Sequence, residues 1–114
     1  MDAQKAIVVE YNFSKQFTRF PGGRFRRDGE HSGQQFYEDV LLKLWNEKGE
    51  RIVLNLSNVE GFATSFLDGA FGEFAAQHGE AVFYKTFDIR CDDDPTLADE
   101  IRDCVLRADR KSRG

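Results

Sequence analysis

No stretch of this chain approaches the roughly 20 consecutive apolar residues needed to span a bilayer. The start, Met1-Asp2-Ala3-Gln4-Lys5, is polar, and the short apolar run after it is not the core of a signal peptide. A cytoplasmic protein with no membrane partner is therefore expected. Cysteine is scarce too. Cys91 and Cys104 are too few for a disulfide framework, and no CxxC pair is present. A basic excess is also missing: the net charge is −4 and the pI is near 5.2, which argues against nucleic acid as a partner. Phosphate-binding glycine loops fail in turn. Pro21-Gly22-Gly23-Arg24 is not followed by Gly-Lys-Ser/Thr, and the glycines from Gly61 to Gly72 lack dinucleotide spacing.

What is present fits one domain with one packed core over residues 1–114. Hydrophobic residues make up 40% and charged residues 32%, a globular balance that excludes disorder. Phenylalanine is the unusual component. Eleven of them point to a core built on aromatic packing.

Residues 6–13, Ala-Ile-Val-Val-Glu-Tyr-Asn-Phe, read as a strand. From Thr18 to Gly33 the chain holds four glycines, Pro21 and four arginines (Arg19, Arg24, Arg26, Arg27), a composition that breaks regular structure, with Arg24-Phe25-Arg26 as a candidate short strand. Ser32 offers an N-cap for a helix over 34–47, whose apolar face is Phe36, Tyr37, Val40, Leu41, Leu44 and Trp45, with Gly49 as its stop. The run 51–56 predicts a strand buried on both faces. A second helix over 65–78 presents Phe66, Leu67, Ala70, Phe71, Phe74, Ala75 and His78 and closes at Gly79. Residues 81–84 begin another strand. After Asp92-Asp93-Asp94 and Pro95, a last helix aligns Leu97, Ile101, Cys104, Val105 and Ala108, and 107–114 is a charged tail expected to fray. This alternation predicts an α/β domain: a central, largely parallel or mixed sheet of about four strands, packed by three helices.

Catalytic constellations are thin. His78 sits on an apolar helix face at a C-terminus, a structural position. His31 adjoins Ser32, but sequence neighbours rarely meet in working geometry, and no partner carboxylate is evident. Asp92-Asp93-Asp94 is the one acidic cluster, and helix capping accounts for it without a metal. No cofactor is called for, and a non-catalytic binding domain is expected. The strongest stretch runs from Leu54 to Asp68, where a strand ends and Thr64-Ser65 falls at a helix start. One hydroxyl is expected to act as the N-cap, and a phosphate added there would meet backbone N–H donors and change the charge of a surrounding interface.

At this strand–turn–helix the chain resembles the STAS domains of anti-sigma factor antagonists. Their apolar strand ending, Leu-Asp-Leu-Ser-Gly-Val, corresponds to Leu54-Asn55-Leu56-Ser57-Asn58-Val59, and their Asp-Ser pair to Thr64-Ser65. It is more similar still to the STAS-like family of small bacterial proteins, which show an Arg-containing glycine loop, Ser-Gly opening the first helix, and a Thr-Ser-Phe-like start followed by Ala-Phe-Gly. Here these are Arg19 to Arg27, Ser32-Gly33, and Thr64-Ser65-Phe66-Leu67-Asp68-Gly69-Ala70-Phe71-Gly72. The resemblance implies a regulatory protein-binding module that docks an ATP-binding kinase-like protein of the anti-sigma type, ATP and magnesium belonging to that kinase. It also implies Ser65, with Thr64 beside it, as the phosphorylation candidate. The candidate contacts are Thr64, Ser65, Phe66 and Asp68 with Arg24, Arg26, Arg27 and Ser32. Two alternatives stand: a small ligand-binding domain or enzyme joining Arg24, His31 and Ser65 in one pocket, and a nucleic-acid accessory protein using the arginine loop.

Overall fold

The computed structural model describes residues 9–48 and 51–113. It begins with strand β1, Val9–Asn12. The Asn12 side chain accepts the Lys15 N–H and so caps a single turn, α1, Phe13–Gln16. A 3-10 turn, Arg26–Asp28, lies in the loop that follows. Helix α2 covers 33–48 as Gly33–Phe36, a wider π turn Tyr37–Leu41, and Leu42–Lys48. Strand β2 is Ile52–Asn55. Helix α3 covers 64–78 in the same manner, Thr64–Leu67, Asp68–Gly72 and Glu73–His78. Helix α4, Glu80–Thr86, leads into β3, Phe87–Arg90, and α5, Leu97–Arg113, ends the described chain.

The three strands pair in parallel in the order β1-β2-β3. Val9, Ile52 and Phe87 stand side by side, as do Tyr11, Leu54 and Ile89. Because side chains alternate across a strand, these six share one face. Tyr11, Ile52, Leu54 and Phe87 are buried there, while Glu10, Asp88 and Arg90 on the opposite face are exposed. Right-handed crossovers between successive neighbouring strands place α2 and α3 on the same side of the sheet. Phe36 of α2 accordingly meets Tyr11 at 6.0 Å between ring centroids, and Phe74 of α3 meets Phe87 at 5.3 Å. The aromatic-core expectation holds: Phe13, Phe36, Phe66, Phe71, Phe74, Phe83 and Phe87 are fully buried.

Several sequence expectations change. Among the described residues the sheet has three strands, not about four, and more than three helices surround it. The predicted strand over 81–84 is helical. Gly79, at φ +96°, stops α3, and the chain then winds again so that Phe83 reaches Phe74 and Phe87 while Ala81 and Lys85 face solvent. Arg24-Phe25-Arg26 is not a strand, since the carbonyls of Gly23 and Arg24 are taken by the N–H groups of Gly33 and Gln34. The expected frayed tail is helical through Arg113. Asp109 is buried, accepts the Glu80 N–H at 3.2 Å and pairs with Arg113, so the end of α5 is tied to the start of α4. Gly49 and residues 6–8 lie outside the described residues. The Ser32 cap and the Gly79 stop stand as expected.

His78 has the structural place expected of it. Its Nε2 lies 3.2 Å from the Tyr37 hydroxyl, and its ring packs on Trp45 and Phe74 at 4.4 and 4.7 Å. Burial lowers its pKa from the ordinary 6.5, with nearby Glu73 acting in the opposite sense. A histidine that resists protonation when folded leaves the unfolded chain to take up the extra proton, so stability falls as pH drops below 6.5. Urea midpoints measured from neutral to mildly acid pH should decline less steeply in His78→Gln than in the parent. Parallel declines would show that His78 contributes no such dependence.

Candidate functional site

The arginine loop is built against the start of α2. Gly22 donates to the His31 carbonyl at 2.8 Å, Gly33 to Gly23 at 2.8 Å and Gln34 to Arg24 at 2.9 Å. Ser32 Oγ then accepts the Gln35 N–H at 3.1 Å. These bonds occupy the free N–H groups of the first helical turn and leave Ser32 fully buried. Ser32 is therefore a cap and not a surface contact, which corrects its place among the binding candidates.

The loop's arginines have separate fates. Arg26 bridges Glu38 and Asp39, both at 2.9 Å, and these hydrogen bonds raise its pKa further. Arg19 donates to the Asn58 carbonyl at 3.3 Å and to Glu60 at 3.2 Å, joining the loop to the turn after β2. Arg24 and Arg27 instead lie over the Phe25 ring, at 5.2 and 4.8 Å. Neither has a carboxylate within ion-pair distance among the described residues. Phe25 is 38% exposed and Phe20 64% exposed, the large hydrophobics that the loop holds out to solvent.

Beyond β2 the turn is held from two directions. The Asn55 side chain accepts the Ser57 N–H at 3.1 Å, and Ser57 Oγ accepts from Asp92 N–H at 2.9 Å. Asn58, at φ +66°, donates its N–H to Asp93 at 2.8 Å, and this bond together with the Cys91 thiol holds the Asp93 carboxyl below its usual range. Asp94 shapes the turn before α5 by accepting the Thr96 N–H and hydroxyl. The acidic run thus secures two turns, where capping of α5 was the expectation.

Helix α3 starts one residue earlier than a hydroxyl cap requires. Its N-cap is Ala63, which offers no side-chain acceptor. Phe62 stacks on Phe66 at 5.6 Å and on Phe13 at 5.1 Å, and this apolar clasp sets where the helix begins. Thr64 and Ser65 consequently fall in the first turn, both exposed. The expected hydroxyl cap is corrected. Phe66 is fully buried against Phe13 and Phe36, so it too leaves the set of surface contacts. Asp68 is partly exposed and reaches Arg107 of α5 at 3.4 Å.

The pocket that would join Arg24, His31 and Ser65 does not form. His31 sets its ring edge-on to Phe17 at 5.2 Å and gives its N–H to Gln35, while Arg24 borders a recess with Asp68, Arg107 and Lys111. Arg107 and Lys111 lie in the charged segment 107–114, whose composition alone predicts a frayed tail. The four-residue spacing of Cys104, Ala108 and Ser112 is the signal that α5 continues. Both thiols sit in settings that keep them protonated. Burial pushes Cys104 up to about 12 and Cys91 up to about 11. Among the described residues no group of His, Cys, Asp and Glu side chains is arranged to hold a metal ion, and no helix is long and apolar enough to cross a membrane.

No curated protein and no solved structure matches the chain. Residues 32–96 match the family described as the STAS-like domain of unknown function, a span that contains α2, the parallel β2–β3 pair, the exposed Thr64-Ser65 turn and all of α3. With more than half of its length so matched, and with the strand–turn–helix lying where the resemblance placed it, the chain belongs to the STAS-like family.

Proposed function

We propose that this chain is a non-catalytic, cytoplasmic regulatory module that binds an ATP-binding, kinase-like protein of the anti-sigma type and is switched by phosphorylation at Ser65. The observation that carries the reading is the exposed Thr64-Ser65 pair in the first turn of α3, on a helix whose N-cap has no side-chain acceptor. A phosphate at Ser65 would add nearly two negative charges beside N–H groups that favour an anion. Membership of the STAS-like family supports the same reading. Thr64 stands where antagonists carry Asp, so Ser65 would be the group modified and Thr64 its neighbour in the contact.

The test is capture from the native cell with tagged parent, Ser65→Ala and Ser65→Asp, together with phosphosite mapping by mass spectrometry. The parent and Ser65→Ala should retain an ATPase-type partner that Ser65→Asp loses, and phosphate should map to Ser65. Equal recovery by all three proteins, with Ser65 unmodified, would sink the switch. A nucleic-acid role is the second reading, favoured by the exposed Phe20 and Phe25 among arginines. It requires a gel shift that weakens steeply with salt. The ligand-binding or enzymatic alternative calls for Arg24, His31 and Ser65 in one pocket, whereas His31 packs edge-on to Phe17 and gives its N–H to Gln35.

A further inference from the structure

Ser65 and Asp68 stand three residues apart on α3, so their side chains are neighbours on one face, with Cβ atoms about 5–6 Å apart. Ser65 is exposed, whereas Asp68 is partly buried. Arg107 of α5 reaches the Asp68 carboxylate at 3.4 Å, and its own side chain is 56% exposed. The buried Cys104 thiol, one turn earlier on α5, also hydrogen-bonds Asp68. Asp68 therefore has two partners on α5, and the exposed one is a cation beside the candidate phosphorylation site.

A phosphate on Ser65 would bring nearly two negative charges and three acceptor oxygens next to this bridge, against the single charge of Asp68. A guanidinium bonds a phosphate in the same two-pronged way as a carboxylate, and more strongly as the charge grows. The other arginines nearby are held elsewhere. Arg19 is bonded to the Asn58 carbonyl and Glu60, and Arg26 bridges Glu38 and Asp39 at 2.9 Å. Arg24 lies against Gly69 in the next turn of α3, but its guanidinium is stacked on Phe25 at 5.2 Å. Arg107 is the cation left to move. Its departure would not strand Asp68, whose side chain is 32% exposed and keeps the Cys104 thiol.

We propose that Arg107 receives a phosphate placed on Ser65, passing from Asp68 to the phosphate and so carrying the modification into the contact between α3 and α5. Three groups act on that phosphate: Arg107 and the N–H groups of the first turn favour its charge, and Asp68 opposes it. Arg107 is thus a positioning residue for the modified state. The inference rests on the phosphoserine reading above and adds what the phosphate does within the domain.

The full chain carrying phosphoserine at position 65, installed by an expanded genetic code and titrated by phosphorus NMR, tests it. The phosphate should lose its last proton below the ordinary pH of about 6. Arg107→Gln should raise that midpoint by about half a pH unit or more, since the cation is gone and Asp68 remains. Arg107→Lys should recover part of the difference. Arg102→Gln, which lies beside Asp99 toward β3, should change nothing. The helix N-terminus is common to all these proteins, so the differences isolate the arginine. Arg107 is exposed, and its variants should keep the parent's circular dichroism. Asp68→Asn, with α5 untouched, should lower the midpoint further. Equal midpoints in the phosphorylated parent and Arg107→Gln, or an equal rise in Arg102→Gln, would overturn the assignment. A midpoint that follows Arg107, with Ser65 never phosphorylated in the native cell, would keep the arginine assignment and remove the switch. Ser65 phosphorylated in the cell, with a midpoint blind to Arg107, would do the reverse.

Discussion

Replacing Phe36 with alanine is expected to cost about 3–5 kcal/mol, the range for removing a fully buried phenylalanine without collapse of its site. Phe36 has no exposed surface and holds four parts of the fold together. Its ring lies 6.0 Å from Tyr11 of β1, 4.9 Å from Phe13 and 5.1 Å from Phe17 around α1, and 6.1 and 5.9 Å from Phe66 and Phe71 of α3. Those neighbours are held by the sheet and by one another, so a cavity would persist. A domain of this size has about 5–15 kcal/mol in total, and the variant should therefore unfold at far lower urea than the parent. Phe25→Ala, on the surface loop, should shift stability by no more than about 0.5 kcal/mol. Urea titrations followed by circular dichroism read both. A Phe36→Ala loss under about 1 kcal/mol would mean that the aromatic hub does not organise the core.

The second large effect concerns a single hydrogen atom. A Cβ on Gly33 would collide with the Phe66 carbonyl oxygen and approach Ala70 N to 2.9 Å and Gly69 C to 3.0 Å. All three are backbone atoms of α3, so no side-chain rotation relieves the contact. Alanine gains about 1 kcal/mol over glycine in helix propensity, and overpacking of this kind costs about 1–3 kcal/mol or more. The clash wins, because α2 must lift away from α3 and loosen Phe36 from Phe66. Gly33→Ala should therefore lose about 2 kcal/mol. Gly72→Ala, at helical dihedrals with 3.8 Å to its nearest neighbour, should gain about 0.5–1 kcal/mol. Thermal melts of the pair should move in opposite directions. Two shifts of the same sign would contradict the close α2–α3 approach.

Part of the candidate site could be read from residue order and part could not. The exposed Thr64-Ser65 pair, the arginine loop and the Ser32 cap follow from local chemistry: hydroxyls beside a helix start, glycines with proline, and a serine before an apolar periodicity. The identity of the N-cap did not follow, because Ala63 is selected by Phe62 packing on Phe13 and Phe66, and Phe13 comes from a distant part of the chain. The burial of Phe66 beneath the site has the same origin. The recess bordered by Arg24, Asp68 and Lys111 was invisible, since these residues come together only when α5 packs on α3 and the loop folds over both.

By itself, the sequence determined the class of this protein. Periodic apolar residues made α2, α3 and α5 helices, the run around Leu54 made a central strand, and eleven phenylalanines required an aromatic core. These are local properties, carried by spacing and side-chain type. Only the tertiary structure decided what depends on long-range contact. Residues 81–84 are helical because Phe83 must reach Phe74 and Phe87 after Gly79 turns the chain. The end of α5 holds because the buried Asp109 meets the Glu80 N–H. Gly33 and Gly72 look alike in the sequence, yet an added Cβ would collide with backbone at the first and meet its neighbours at an ordinary 3.8 Å at the second. Residue identity is the same at both positions, and the distance to the neighbouring helix decides the difference.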